Sequence, residues 1–93
     1  MIIGTATFRL YAPWVHSLKE KRTVVRPLVA HIKNRFNVSV AETDAQDLHQ
    51  TIVLGVACVA ESVRLADSIL DAVIAFIEND TEAQISDIQR EIR

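Results

Sequence analysis

The segment His16-Ser17-Leu18-Lys19-Glu20-Lys21-Arg22 sets three cations around one carboxylate, in a chain of 93 residues whose formal net charge is −2. Six of the ten Lys and Arg residues (Lys19, Lys21, Arg22, Arg26, Lys33 and Arg35) fall between positions 19 and 35, whereas eleven of the twelve acids lie at or beyond Glu42. A local cationic face can hold an anionic partner despite a weakly acidic total, provided the acids lie elsewhere. With about 100° between successive helical residues, Lys19, Arg22, Arg26 and Lys33 share an arc of about 60°. Such a stripe can follow a phosphate backbone, so RNA or the ribosome is the expected partner, bound by charge without base readout. Two plainer readings compete with it. The stripe can pair with Asp67, Asp71 and Glu78, which form a stripe of their own on a second helix, or it can simply solvate a helix face.

Other groups have the types needed for chemistry but not the arrangement. Glu42, Asp44, Asp47 and His49 have the composition of a hard-metal cluster, yet their spacing matches neither an EF-hand loop nor a zinc signature, so no metal is expected. His16 beside Ser17 offers a base and a hydroxyl, but Ser17-x-x-Glu20 is the spacing of a capping box, which commits the hydroxyl to a backbone N–H. Cys58, the sole cysteine, lies inside the apolar run Val56-Ala57-Cys58-Val59 and reads as a buried, inert thiol. Tyr11 and Trp14 flank the cationic helix, where aromatics can stack bases, although packing of Trp14 over the core rim is the preferred reading. No catalytic residue and no cofactor follow from these patterns.

The elements that must position these residues are legible from periodicity. Residues 2–11 alternate as a strand with Ile2, Gly4, Ala6, Phe8 and Leu10 on one face. From the Ser17 cap, Leu18, Val25, Leu28, Val29, Ile32 and Phe36 form the core face of a helix. Pro27 interrupts it on the outer side, and one kinked helix is preferred over a new start there, because Arg26 is a poor cap. Strands follow at 37–42 and 51–60, joined by a polar connection over 43–50. A second helix at 63–78 turns Leu65, Ile69, Leu70, Val73, Phe76 and Ile77 inward, and a last strand starts near Ala83. In that strand Ile88 and Ile92 break the parity set by Ala83 and Ile85, which predicts a bulge, a bend or a frayed edge.

Strand, helix, strand, strand, helix, strand is the order of the α+β ferredoxin-like βαββαβ sandwich: a four-stranded antiparallel sheet in order 4-1-3-2 with two helices on one face. Residues 1–93 are expected to form one such domain. No apolar stretch is long enough to cross a membrane, and Ile2 and Ile3 follow Met1 directly, so no membrane association is expected and the cytoplasm is the expected location.

The run His16 to Arg22, the later Arg35-Phe36-Asn37-Val38-Ser39-Val40-Ala41-Glu42, the loop Asp47-Leu48-His49-Gln50 and Leu54-Gly55-Val56-Ala57 together resemble the YlxP-like family of small bacterial domains of unknown function. The resemblance spans nearly the whole chain. It implies a ferredoxin-like fold and a gene neighbourhood of translation initiation and ribosome maturation, and it supplies no catalytic or binding residues. Position 27 is proline where the family favours a helix former or a small residue, and position 49 is histidine where an aromatic is common.

Acylphosphatases share this architecture and hold phosphate with a glycine-rich turn and an arginine after the first strand. Here that connection is Tyr11-Ala12-Pro13-Trp14-Val15, with neither, so the expectation is a non-enzyme. The third strand lacks the aromatics with which an RNA-recognition motif stacks bases, which excludes that binding mode. The sheet face away from the helices has no covering element. Because Val53, Gly55, Ala57 and Val59 project there, a homo-oligomer through the sheet is expected, with Gly55 and Ala57 permitting close approach and Thr5, Thr7 and Arg9 as a polar rim.

Overall fold

The computed structural model describes Met1–Arg93. Six elements follow one another: β1 (Ile2–Tyr11), α1 (Leu18–Arg35), β2 (Ser39–Asp44), β3 (Thr51–Ala60), α2 (Val63–Asp80) and β4 (Gln84–Ile92). The strands pair antiparallel in the order β2-β3-β1-β4, the expected 4-1-3-2 order read from the other edge. No helix is long and apolar enough to cross a membrane.

Cross-strand register builds the core. Ala6 faces Val56, Phe8 faces Leu54 and Leu10 faces Ile52, and all six are buried against the helices. From α2 the stripe Ala66, Leu70, Val73 and Ile77 closes onto them. Gly4 lets that helix come close, since a methyl group there would sit 3.1 Å from Cys58 Sγ and 3.2 Å from Ala66 Cβ. Cys58 is buried, as its apolar neighbours predict. Leu65 departs from expectation: it is exposed, because it stands about 100° around the helix from Ala66 and so off the buried stripe.

Ser17 caps α1, its Oγ accepting from the Glu20 N–H at 3.0 Å, and Ser62 caps α2 by the same bond to the Leu65 N–H at 3.1 Å. The return bond from the Glu20 side chain that would complete a capping box is absent. A single α1 runs through Pro27, which is exposed and lines a surface hollow with Trp14, Val24 and His31. Trp14 is 42% exposed, at the rim beside this flank of α1. The helices touch through an edge-to-face pair, Phe36 and Phe76, with ring centroids 5.6 Å apart.

Two bulges shape the sheet edges. Between Arg9 and Leu10 the pairing with β4 slips by one residue, which returns Ile85 and Ile88 to the same face. This is the irregularity that their broken parity predicts. β2 lies two residues later than its alternation suggests, because Asn37 and Val38 serve as the connection from α1 and a second bulge carries the strand past Glu42 to Asp44. The strand ends of the domain also meet: Ile3 and Arg93 exchange both backbone hydrogen bonds, at 2.8 and 2.9 Å.

Candidate functional site

The buried stripe of α1 is Lys21, Val25, Leu28 and Ile32, so its first member is a lysine, only 3% exposed. An ammonium taken out of water costs several kcal/mol unless its charge is met. Lys21 Nζ lies 2.7 Å from Glu42 Oε2 of β2 and donates to the Ala45 carbonyl at 2.7 Å. Glu42 Oε2 is sealed from solvent and accepts no well-aligned hydrogen bond, so the contact with the ammonium is chiefly Coulombic. Ala45 adopts φ 56°, a left-handed conformation that costs a residue with a Cβ about 1 kcal/mol or more. Three bonds hold the turn: Asp44 Oδ1 accepts from the Ala45 N–H, and the Ala45 carbonyl accepts from both Lys21 and the Leu48 N–H. Lys21 is thus a clamp between α1 and the β2–β3 connection and does not join the exposed cations.

Sequence reasoning passed over this pair, although two signals were present. Position 21 is four residues before Val25 and seven before Leu28, squarely in the core stripe, and Glu42 alternates with Val40 toward the helices. The cluster considered for metal is dispersed by the same geometry, because Glu42 faces Lys21 while Asp44 closes its own turn. Ser17 Oγ is engaged as a cap, and the neighbouring His16 is exposed.

Lys19, Arg22, Arg26 and Lys33 are all exposed, and none forms an ion pair. Arg22 and Arg26 border a hollow of about 360 Å³ with Leu18, Lys21 and Glu42, and Arg26 and Lys33 border the adjoining one of about 410 Å³. Three of the four cations therefore line one groove between α1 and the edge strand β2, while Lys19 lies outside both hollows. The rival arrangement, pairing with the second helix, is not formed. Arg90 of β4 takes Asp67 Oδ1 at 3.0 Å and also bonds Asp71, and Glu78 has no ion pair. Its hydrogen bond to Asp71, joined by the charges of both acids, holds the Arg90 guanidinium above its ordinary range against the opposing effect of burial. The aromatics are not at the groove: Trp14 stands by the other flank of α1, and Tyr11 belongs to the open side of the sheet.

That open side is made of small and polar residues more than of greasy ones. Thr5, Thr7, Ser39, Ala41, Thr43, Gly55 and Ala57 surround a shallow depression, and apolar exposure concentrates at Val59, 64% exposed, and Tyr11, 44% exposed. The space above Gly55 is already taken, since a methyl group there would lie 2.7 Å from Thr43 Cγ2. Gly55 accommodates the bulged Thr43 of its own chain, so of the two β3 residues expected to permit close approach, Gly55 and Ala57, only Ala57 remains open to a partner.

Residues 3–90 match the family described as "Protein of unknown function (DUF503)". The Bacillus subtilis (strain 168) protein named Uncharacterized protein YlxP is 38% identical over 68 residues, a stretch covering 73% of this chain and 74% of that protein. Among solved structures, a de novo designed protein with a ferredoxin fold, determined by solution NMR, superposes with a TM-score of 0.57 over all of this chain and 85% of its own, at 16% identity. That likeness concerns the fold alone.

Proposed function

We propose that this chain, which belongs to the DUF503 family of unknown function, is a non-catalytic binding module that docks on RNA or the ribosome through the cationic flank of α1. One observation carries the reading: Lys19, Arg22, Arg26 and Lys33 are exposed and form no ion pair, while Asp67 and Asp71 of the second helix are held by Arg90, and Asp47, which borders the same hollow as Arg22 and Arg26, pairs with neither. Four such cations supply a sequence-independent phosphate contact. With no aromatic beside them, base stacking has no part in it.

Titration of a labelled RNA duplex at several salt concentrations tests this reading. If each cation neutralises one phosphate, log K should fall against log salt with a slope of about −3 to −4, and Arg22→Gln with Arg26→Gln should make the slope shallower by about 2. Absence of binding to RNA or ribosomal subunits at low salt would refute it.

A second reading, association of two copies through the open sheet face, draws support from the exposure of Val59 and Tyr11 on a face that no helix covers. Sedimentation at micromolar concentration separates a dimer from a 10.4 kDa monomer.

A further inference from the structure

The sheet edge beside the cationic flank is open. β2 is hydrogen-bonded along one side only, to β3, so its outer N–H and C=O groups have no partner strand. α1 overhangs this edge, and the hollow of about 410 Å³ between them has an apolar floor, Val25 and Val29 from the helix with Val40 from the strand. Its wall carries Arg26 and Lys33, neither in an ion pair, and one carboxylate, Glu42, whose charge is met by Lys21. Edge strands are commonly protected by lysine, proline or a bulge. Residues 39–42 contain no lysine and no proline, and the bulge comes only after Glu42.

A groove between a helix and a free strand edge is a geometry in which extended peptides are captured by strand addition, where main-chain bonds give affinity and alternate side chains give selectivity. A strand laid along β2 turns every second side chain toward α1. Each such side chain crosses the apolar floor and then meets a guanidinium or an ammonium. Glutamate suits that path, its methylenes over Val25 and Val29 and its carboxylate on Arg26 or Lys33. A second copy adding its own β2 would set Arg26 and Lys33 against their equivalents, and like charge disfavours it.

We propose that the groove between α1 and β2 takes an extended acidic peptide as a fifth strand, with glutamate at the alternate positions facing α1. This goes beyond RNA docking, because it uses the strand edge and the apolar floor, which phosphate contacts do not need.

The probe is an end-capped peptide of about eight residues alternating glutamate and threonine, titrated into isotopically labelled protein and followed by NMR. Saturable binding should slow amide exchange within Ser39–Glu42, and Arg26→Gln combined with Lys33→Gln should weaken it about tenfold or more. Of two peptides N-methylated on one or the other alternate set of amides, one should lose binding and the other keep it. An oligouridylate should leave exchange at Ser39–Glu42 unchanged. No saturable binding, equal binding by both N-methylated peptides, or the same protection by oligouridylate would each overturn the proposal.

Discussion

Lys21 Nζ and Glu42 Oε2 meet at 2.7 Å, joining the two segments, SLKEKR and RFNVSVAE, that most mark the family resemblance. One belongs to the buried stripe of α1 and the other to the helix-facing side of β2, so a charged contact stands where the rest of the layer is held by Val25, Leu28 and Val40.

Lys21→Met strands a carboxylate oxygen that has no access to water. The expected loss is about 3 kcal/mol, the low end for a broken buried pair, because Glu42 is 22% exposed overall. Adding Glu42→Leu should recover most of it, and urea unfolding of both singles and the double measures the coupling. Strict additivity would show that the two charges act separately.

Gly55→Ala should cost about 1 to 3 kcal/mol, since its methyl would overlap Thr43 Cγ2 and either the Thr43 side chain must leave its rotamer or the bulged strand must shift to admit it. Thr43→Ser removes that methyl, so the double variant should be more stable than Gly55→Ala alone. Thermal unfolding of the three variants decides it.

Removing either helix cap has a defined expected size. Ser17→Ala and Ser62→Ala should each cost about 0.5 to 2 kcal/mol, because each hydroxyl satisfies one orphan N–H. If Ser17→Ala instead left stability unchanged and abolished a binding activity, its hydroxyl would be a contact group.

On β4, the hydrogen bond from Arg93 and then its charge hold the Glu91 carboxyl below its ordinary value of 4.5. A depressed carboxyl pKa contributes stability above its unfolded value, and the contribution is lost as pH falls through the folded value. Glu91→Gln should therefore remove a small stabilisation at neutral pH and flatten the acid limb below about pH 4.5, so that the two profiles converge at low pH. An identical acid limb in wild type and variant would show that the exposed pair has no net effect.

The strand order and both helices were legible because Phe8, Leu10, Ile52 and Leu54 alternate cleanly and Leu70, Val73 and Ile77 keep helical spacing. The cationic stripe was legible as a set of positions, but not its freedom, which depends on Arg90. That residue reaches Asp67 and Asp71 only because the bulge fixes which side of β4 it occupies. Lys21 was hidden by its chemistry: a lysine in a core stripe reads as a break in the pattern until its partner is found on another element. The bulge at Thr43 left no signal in composition, and with it the role of Gly55 stayed unseen.

The double hydrogen bond between Ile3 and Arg93 brings the two ends of the sheet's central and outer strands to within one strand spacing, about 5.5 Å between Cα atoms in such a pair. The module can therefore be spliced into a surface loop of another protein, entering and leaving at one point without prying the host apart. The same closeness lets a short linker close the chain into a ring, with new ends opened in the 45–50 connection, which would free the Ala45 turn from chain continuity and leave Lys21 as its main tether.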